Sequence, residues 1–209
     1  MRIQVFIFAI LTGGSMVGCS TSTSTMHYDL NAASESSTPA RTVDGSFIQY
    51  RLASVNIPEP IDMTSLVVRQ ANDSLLVLSH DKWVGTLNQV MQTALSATLT
   101  DELGMPPLPA SMSAVANTAG VADIIVDVRQ FEMQPAKQAT LSVLWQINFQ
   151  NAQRTSITCY STLIQPVAPG VAALVSAQQI NVQQLGKQIA ATISTARVPK
   201  SGNCQAHKA

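Results

Sequence analysis

The sequence predicts an α+β fold: a single domain with a mixed, mostly antiparallel sheet and two main helices packed on one face. Two observations carry that prediction. Ala122, Ile124, Val126 and Val128 alternate with mostly polar neighbours, as do Ala139, Leu141, Val143, Trp145, Ile147 and Phe149. Ile157, Cys159 and Leu163 extend the pattern on a third segment, and Leu144 is the apolar exception. A period of two buries one face and wets the other, which suits an antiparallel meander. The second observation is helical spacing. Val84, Leu87, Val90, Met91, Ala94, Leu95 and Leu99 form one stripe, and Leu174, Val182, Leu185, Ile189 and Ile193 form another. The chain of 209 residues is long enough to bury one real core, and it shows no internal repeat and no second domain.

The elements follow in order. Met26 to Leu30 reads as a short strand, and Asn31 to Gly45 as a polar loop. Phe47 to Ile57 alternates loosely and reads as a strand, stopped by Pro58 and Pro60. Ser65 to Arg69 and Leu75 to Leu78 are short strands, with Gln70 to Asp73 as the hairpin turn. Asp81 is the expected N-cap of the first helix. Gly104 ends it, and Pro106 and Pro107 forbid its continuation. After an irregular connection come the three alternating strands, and Val171 to Ala196 closes the fold as a helix.

The N-terminus carries a different message. Arg2 precedes an apolar run, Ile3 to Leu11, that is too short to span the ~30 Å hydrocarbon core of a bilayer. It reads as a secretory signal and is excluded from the fold. "MVGC", Met16 to Cys19, resembles the lipobox of bacterial lipoproteins. The resemblance implies cleavage after Gly18 and a diacylglyceryl group on Cys19; the plain alternative is an ordinary signal peptide with a stray cysteine. Two or more acyl chains make a stable anchor. Ser20, where an Asp tends to retain lipoproteins at the inner membrane, implies the periplasmic face of the outer membrane. The "STSTST" run, Ser20 to Thr25, is a tether without an apolar period, and it reaches at most ~25 Å. The expected organisation is signal peptide 1–18, lipidated cysteine and tether 19–26, a folded domain 27–198 and a C-terminal tail 199–209.

Charge narrows the function classes. Twelve Lys and Arg balance twelve Asp and Glu, and charged residues make up 11% of the chain. No basic stripe is present, so no nucleic-acid partner is expected. A weakly charged surface hints at protein contacts, because interface cores are depleted in charge. Cys159 and Cys204 remain besides Cys19. An even count in an oxidising compartment favours a disulfide; the alternative is a buried Cys159 and a free Cys204. His27, His80 and His207 show no metal-ligand spacing and read as surface residues, so no metal and no cofactor are expected. Asp123 and Asp127 share a strand face ~13 Å apart, too wide for a glycosidase pair. No nucleophile elbow, phosphate loop or dinucleotide fingerprint occurs, and no enzyme activity is expected.

"HYDL" at 27–30, "VNIPEPIDMTSLVVRQANDSLLVLSHDKWVGTL" at 55–87, "VDVRQFEMQPAKQATLSVLW" at 126–145 and "ALVSAQQINVQQLGKQIAATI" at 173–193 stand in a familiar order. Together they resemble the PqiC-like lipoproteins, the ABC-type transport auxiliary lipoprotein family. The likeness rests on Ile57-Pro58, Ile61-Asp62, Arg69, Asn72 and Lys82-Trp83. "MTSL" and Val84-Gly85-Thr86 depart from the family pattern. The resemblance implies an outer-membrane lipoprotein that forms ring-like homo-oligomers and supports membrane integrity. It implies docking to the periplasmic end of an MCE-domain tube that carries lipid between membranes. Asp62, Arg69 and Trp83 are the residues expected near a contact surface, with core packing and ion pairing as their structural alternatives. The competing functions are a monomeric lipid carrier and an accessory lipoprotein of another envelope export machine.

Overall fold

The computed structural model describes residues 24–31, 49–109, 111–112, 120–150, 156–195 and 203–207. Its strands are β1 (Met26–Tyr28), β2 (Gln49–Asn56), β3 (Ser65–Arg69), β4 (Leu75–Trp83), β5 (Val121–Gln134), β6 (Gln138–Phe149), β7 (Ser156–Pro166) and β8 (Asn203–His207). Helix α1 (Leu87–Leu103) follows β4, and α2 (Val171–Thr195) follows β7. The α+β class holds, but the strands divide into two sheets. A large sheet has the order β2-β5-β6-β7-β8, and a small one the order β1-β4-β3. Both are mixed: β2 runs parallel to β5 and β1 parallel to β4, while the other pairs are antiparallel.

The division has a local cause. β2 pairs with residues 121–127 of β5 and stops there. A 3-10 turn at Glu59–Ile61 then carries the chain away, with Pro58 at its start. Between Val128 and Gln130 the β5–β6 register slips by one residue. Such a bulge bends the strand and reverses which residues point inward. Val126 and Val128 face the core before it, and Phe131 and Met133 after it. β3 lies against this second half of β5.

The two helices cover one face of the large sheet, α2 over β5, β6 and β7 and α1 beside β2. They approach each other closely at Gly186, where a Cβ would stand 2.6 Å from Thr98 Cγ2. Two amides on α2 are fully buried. Gln178 Nε2 donates to the carbonyls of Glu132 (2.9 Å) and Thr140 (3.2 Å), and Asn181 Nδ2 donates to Ala139 (3.2 Å). Trp145 is core, as expected, and its Nε1 donates to Ser161 Oγ at 2.9 Å. Ser161 in turn donates to Gln188 Oε1 of α2 at 2.8 Å. Buried polar groups need such partners, and these bonds fix α2 in one register on the sheet.

Two boundaries differ from the sequence expectation. Asp81 does not cap α1; residues 79–83 belong to β4, and β1 pairs with Asp81–Trp83. The cap is Thr86, in a capping box with Gln89, and Val84 lies outside the helix and is exposed. The C-terminal stretch expected as a tail supplies β8, with Cys204 opposite Cys159 on β7. The two cysteines are joined by a disulfide. His27 lies on β1 and His80 in β4, and both are exposed, as expected of surface residues. Cys19 lies outside the described residues, as does the side chain of His207.

Cys204→Ser opens a covalent loop closed across 45 residues. The chain-entropy model gives a loss of about 4 kcal/mol, which lowers Tm by ~10 °C in a domain of this size. Calorimetry of the variant, and of the native protein in reductant, should agree on that shift. A second expectation concerns alkaline pH. Tyr50 is fully buried, and its hydroxyl donates to the Met105 carbonyl at 3.0 Å. Burial raises its pKa above the ordinary value, partly offset by Thr100. The protonated form therefore favours the folded state. Its contribution is complete below the unfolded pKa of about 10 and is lost as pH rises through the folded value. Thermal melts from neutral to strongly alkaline pH should show a falling Tm. Tyr50→Phe should flatten part of that fall, at a cost of about 1 kcal/mol at neutral pH for the lost hydrogen bond.

Candidate interaction surface

Asp62, Arg69 and Trp83 are not gathered into one site; each is fastened to a different partner within the chain. Trp83 ends β4, is 2% exposed, and meets Phe131 edge-on with ring centroids 6.1 Å apart. It is a core residue. Arg69 ends β3; its Nη2 pairs with Glu132 on β5 at 2.7 Å, and its Nη1 donates to the Asp73 carbonyl at 3.0 Å. The hydrogen bond and charge of Glu132 raise the guanidinium pKa further. Asp62 Oδ1 accepts the backbone N–H of Asn88 at 2.8 Å, in the first turn of α1. A carboxylate there satisfies an orphan donor and complements the helix dipole. Each of the three thus has a partner within its own chain. Glu132 and Thr86 escaped sequence reasoning. The Thr86-x-x-Gln89 spacing was the available signal for the second, and nothing in the sequence marked the first.

The face of the large sheet away from the helices is open in part: Tyr160, Thr162 and Ile164 on β7 are exposed, and Thr140 and Ser142 on β6 are buried. Its rows run across β5, β6 and β7: Asp127–Leu144–Tyr160, Gln130–Ser142–Thr162 and Glu132–Thr140–Ile164. Ser142 Oγ donates to Gln130 Oε1 at 3.3 Å and shares a hydrogen bond with Thr162 Oγ1 at 3.4 Å. Tyr160 and Ile164 are exposed beside them. The acids on this side are paired: Asp123 with Arg51 (3.2 Å), Asp127 with Arg129 (2.6 Å) and Glu132 with Arg69. Asp123 also accepts from Gln150 Nε2. No free carboxylate couple is left for acid–base chemistry on this strand. Among the described residues no group of His, Cys, Asp and Glu could hold a metal ion. This side bears hydroxyls and amides, and its acids are paired with arginines.

A family model described as "ABC-type transport auxiliary lipoprotein component" matches residues 28–190. The chain belongs to this family. The fold has solved counterparts. A crystal structure titled as an uncharacterized protein superposes with a TM-score of 0.61 at 17% identity, covering 81% of this chain and 99% of that one. A Xanthomonas campestris protein assigned to DUF330 superposes at 0.58 and 16% identity, covering 82% of this chain and 96% of that one. No curated protein matches the sequence. A member of this family is a lipoprotein associated with an ABC-type transport system. Among the described residues of this member, no helix is long and apolar enough to cross a membrane.

Asp62→Ala should lower stability by about 1 kcal/mol, the usual worth of a capping oxygen. Asp62→Asn, which keeps an acceptor, should lose only a few tenths. Chemical denaturation of both variants measures the difference.

Proposed function

We propose that this chain is the outer-membrane subunit of an MCE-type intermembrane lipid transport system. In this reading Cys19 carries the lipid and holds the domain on the periplasmic face. Copies of the domain form a ring, dock the periplasmic end of an MCE-domain tube and support membrane integrity. The protein is a docking subunit and not an enzyme.

The observation that carries the reading is the family match, which begins at residue 28, nine residues after Cys19. The open sheet face agrees with it. Paired charges lower the desolvation penalty of a contact, and exposed Tyr160 and Ile164 offer the apolar area that interface cores use. The tether agrees as well, because a short polar link keeps the domain close under the lipid.

The test is a crosslinked pull-down of the lipidated protein from native envelopes, beside a Cys19→Ala control. The expected result is recovery of an MCE-domain tube protein together with further copies of this chain, both weakened in the control. Recovery of this chain alone, or of a different export machine, overturns the transporter assignment.

A further inference from the structure

The open edge of β4 has no role in the fold described so far. β3 pairs with Leu75, Leu76 and Val77 on one side of the strand. On the other side, among the described residues, β1 pairs only with Asp81, Lys82 and Trp83. Three successive apolar side chains are left in water: Leu75 is 53% exposed, Leu76 43% and Val77 51%. An edge of this kind is normally blunted with charge or covered. Here the only charged residue from Gln70 to Ser79 is Asp73. The turn that carries these side chains is well tied. Gln70 N–H donates to the Ser74 carbonyl at 2.8 Å, and Asp73 N–H donates to the Gln70 carbonyl at 3.0 Å.

The direction of β1 says what lies beside this edge. Because β1 and β4 are parallel, chain upstream of Met26 leaves toward the Leu75 end of β4. Cys19 precedes Met26 by seven residues, and Leu75 precedes Asp81, the partner of Met26, by six. Seven residues span at most ~25 Å, and six residues of strand rise ~20 Å. A link of that length is long enough to bring the point of attachment level with the hairpin tip, and too short to hold the tip far from it.

We propose that the β3–β4 hairpin rests on the lipid surface that holds Cys19, with Leu75, Leu76 and Val77 seated at the headgroup–acyl boundary. This rests on the reading of Cys19 as the lipid attachment point. The occupant is a lipid surface of any headgroup charge. The segment has no basic residue before His80, and Arg69 is already paired with Glu132. The contact is apolar and should persist in high salt.

The native tryptophans make the test clean, because Trp83 and Trp145 are both buried in the core. Leu76→Trp places a new fluorophore on the hairpin, and Leu75→Trp places one on the other face of the same strand. Val84→Trp places one at an exposed position beyond the far end of β4. The full lipidated variants are bound to phosphatidylcholine vesicles with and without brominated acyl chains, and vesicle flotation is scored in parallel. The expected result is loss of most of the added emission at positions 75 and 76 in brominated vesicles, with little loss at 84. Equal emission in both vesicles, from protein that floats, overturns the hairpin contact and leaves the anchor intact. A blue shift at position 76 that grows with protein concentration and ignores bromine assigns the edge to a second copy, and also overturns the proposal. Protein that fails to float removes the anchor reading, and the hairpin contact with it.

Discussion

Arg129 is the residue that β5 inserts between Val128, opposite Val143, and Gln130, opposite Ser142. The two sheets meet as they do because of that insertion. Without it Phe131 would point to the outer face and Glu132 into the core, where an unpaired carboxylate is costly. With it Phe131 faces Trp83 and Glu132 reaches Arg69. Phe131 and Glu132 stand on opposite faces of β5, so the small sheet grips the strand from both sides. The buried end of β4 supplies one contact and the end of β3 the other. Gln178 then closes the same region from α2 by binding the carbonyls of Glu132 and Thr140.

The bulge also shapes the exposed surface. Arg129 itself stays in water and turns back to Asp127, two residues earlier. With the other two ion pairs, this cancels the charge on the outer side of β5 by local geometry and not by composition alone. Exposed pairs of this sort add little stability. In the proposed docking role, a partner would meet amides, hydroxyls and aliphatic side chains with no strong field to select or repel it.

Much of this was legible in the sequence. The alternating residues of β5, β6 and β7 and the stripe of α2 appear where their periods placed them, because packing between these strands and α2 enforces a strict period. The parity switch was not read from the sequence, because the pattern was followed only to Val128; the structure shows it in the move from Val126 and Val128 to Phe131 and Met133. The start of α1 was misplaced because Asp81 is a good capping residue in isolation. Tertiary pairing with β1 overrides that preference, and Thr86 with Gln89 takes the cap. β8 was missed because "NCQAH" has no alternation, and its place depends on β7 and on Cys159. Asp62, Arg69 and Trp83 were expected near a contact surface, and each is held by a partner within the chain. Their partners lie far away in the chain, and no local pattern distinguishes a fastening residue from a contact residue.

For a chain held at Cys19, tension from the anchor enters the domain through β1, a strand of three residues. That root is firmer than its length suggests. Tyr28 donates its hydroxyl to Asp81 at 3.0 Å and accepts the Val84 N–H on its carbonyl at 2.9 Å. Gln179 of α2 donates to the carbonyls of Asp29 and Asn31, and Leu30 is buried in the core. Load along a parallel ladder shears these bonds together instead of peeling them one at a time. Within a few residues the tether is thus coupled to the longest helix of the fold. A long tether on a loose root would let the domain turn freely, and no face of it would have a fixed relation to the lipid. In the proposed reading, a short tether on a root pinned by Leu30 keeps the Leu75 end of β4 toward the membrane, and the orientation of the sheet face that a partner would meet then follows from the fold.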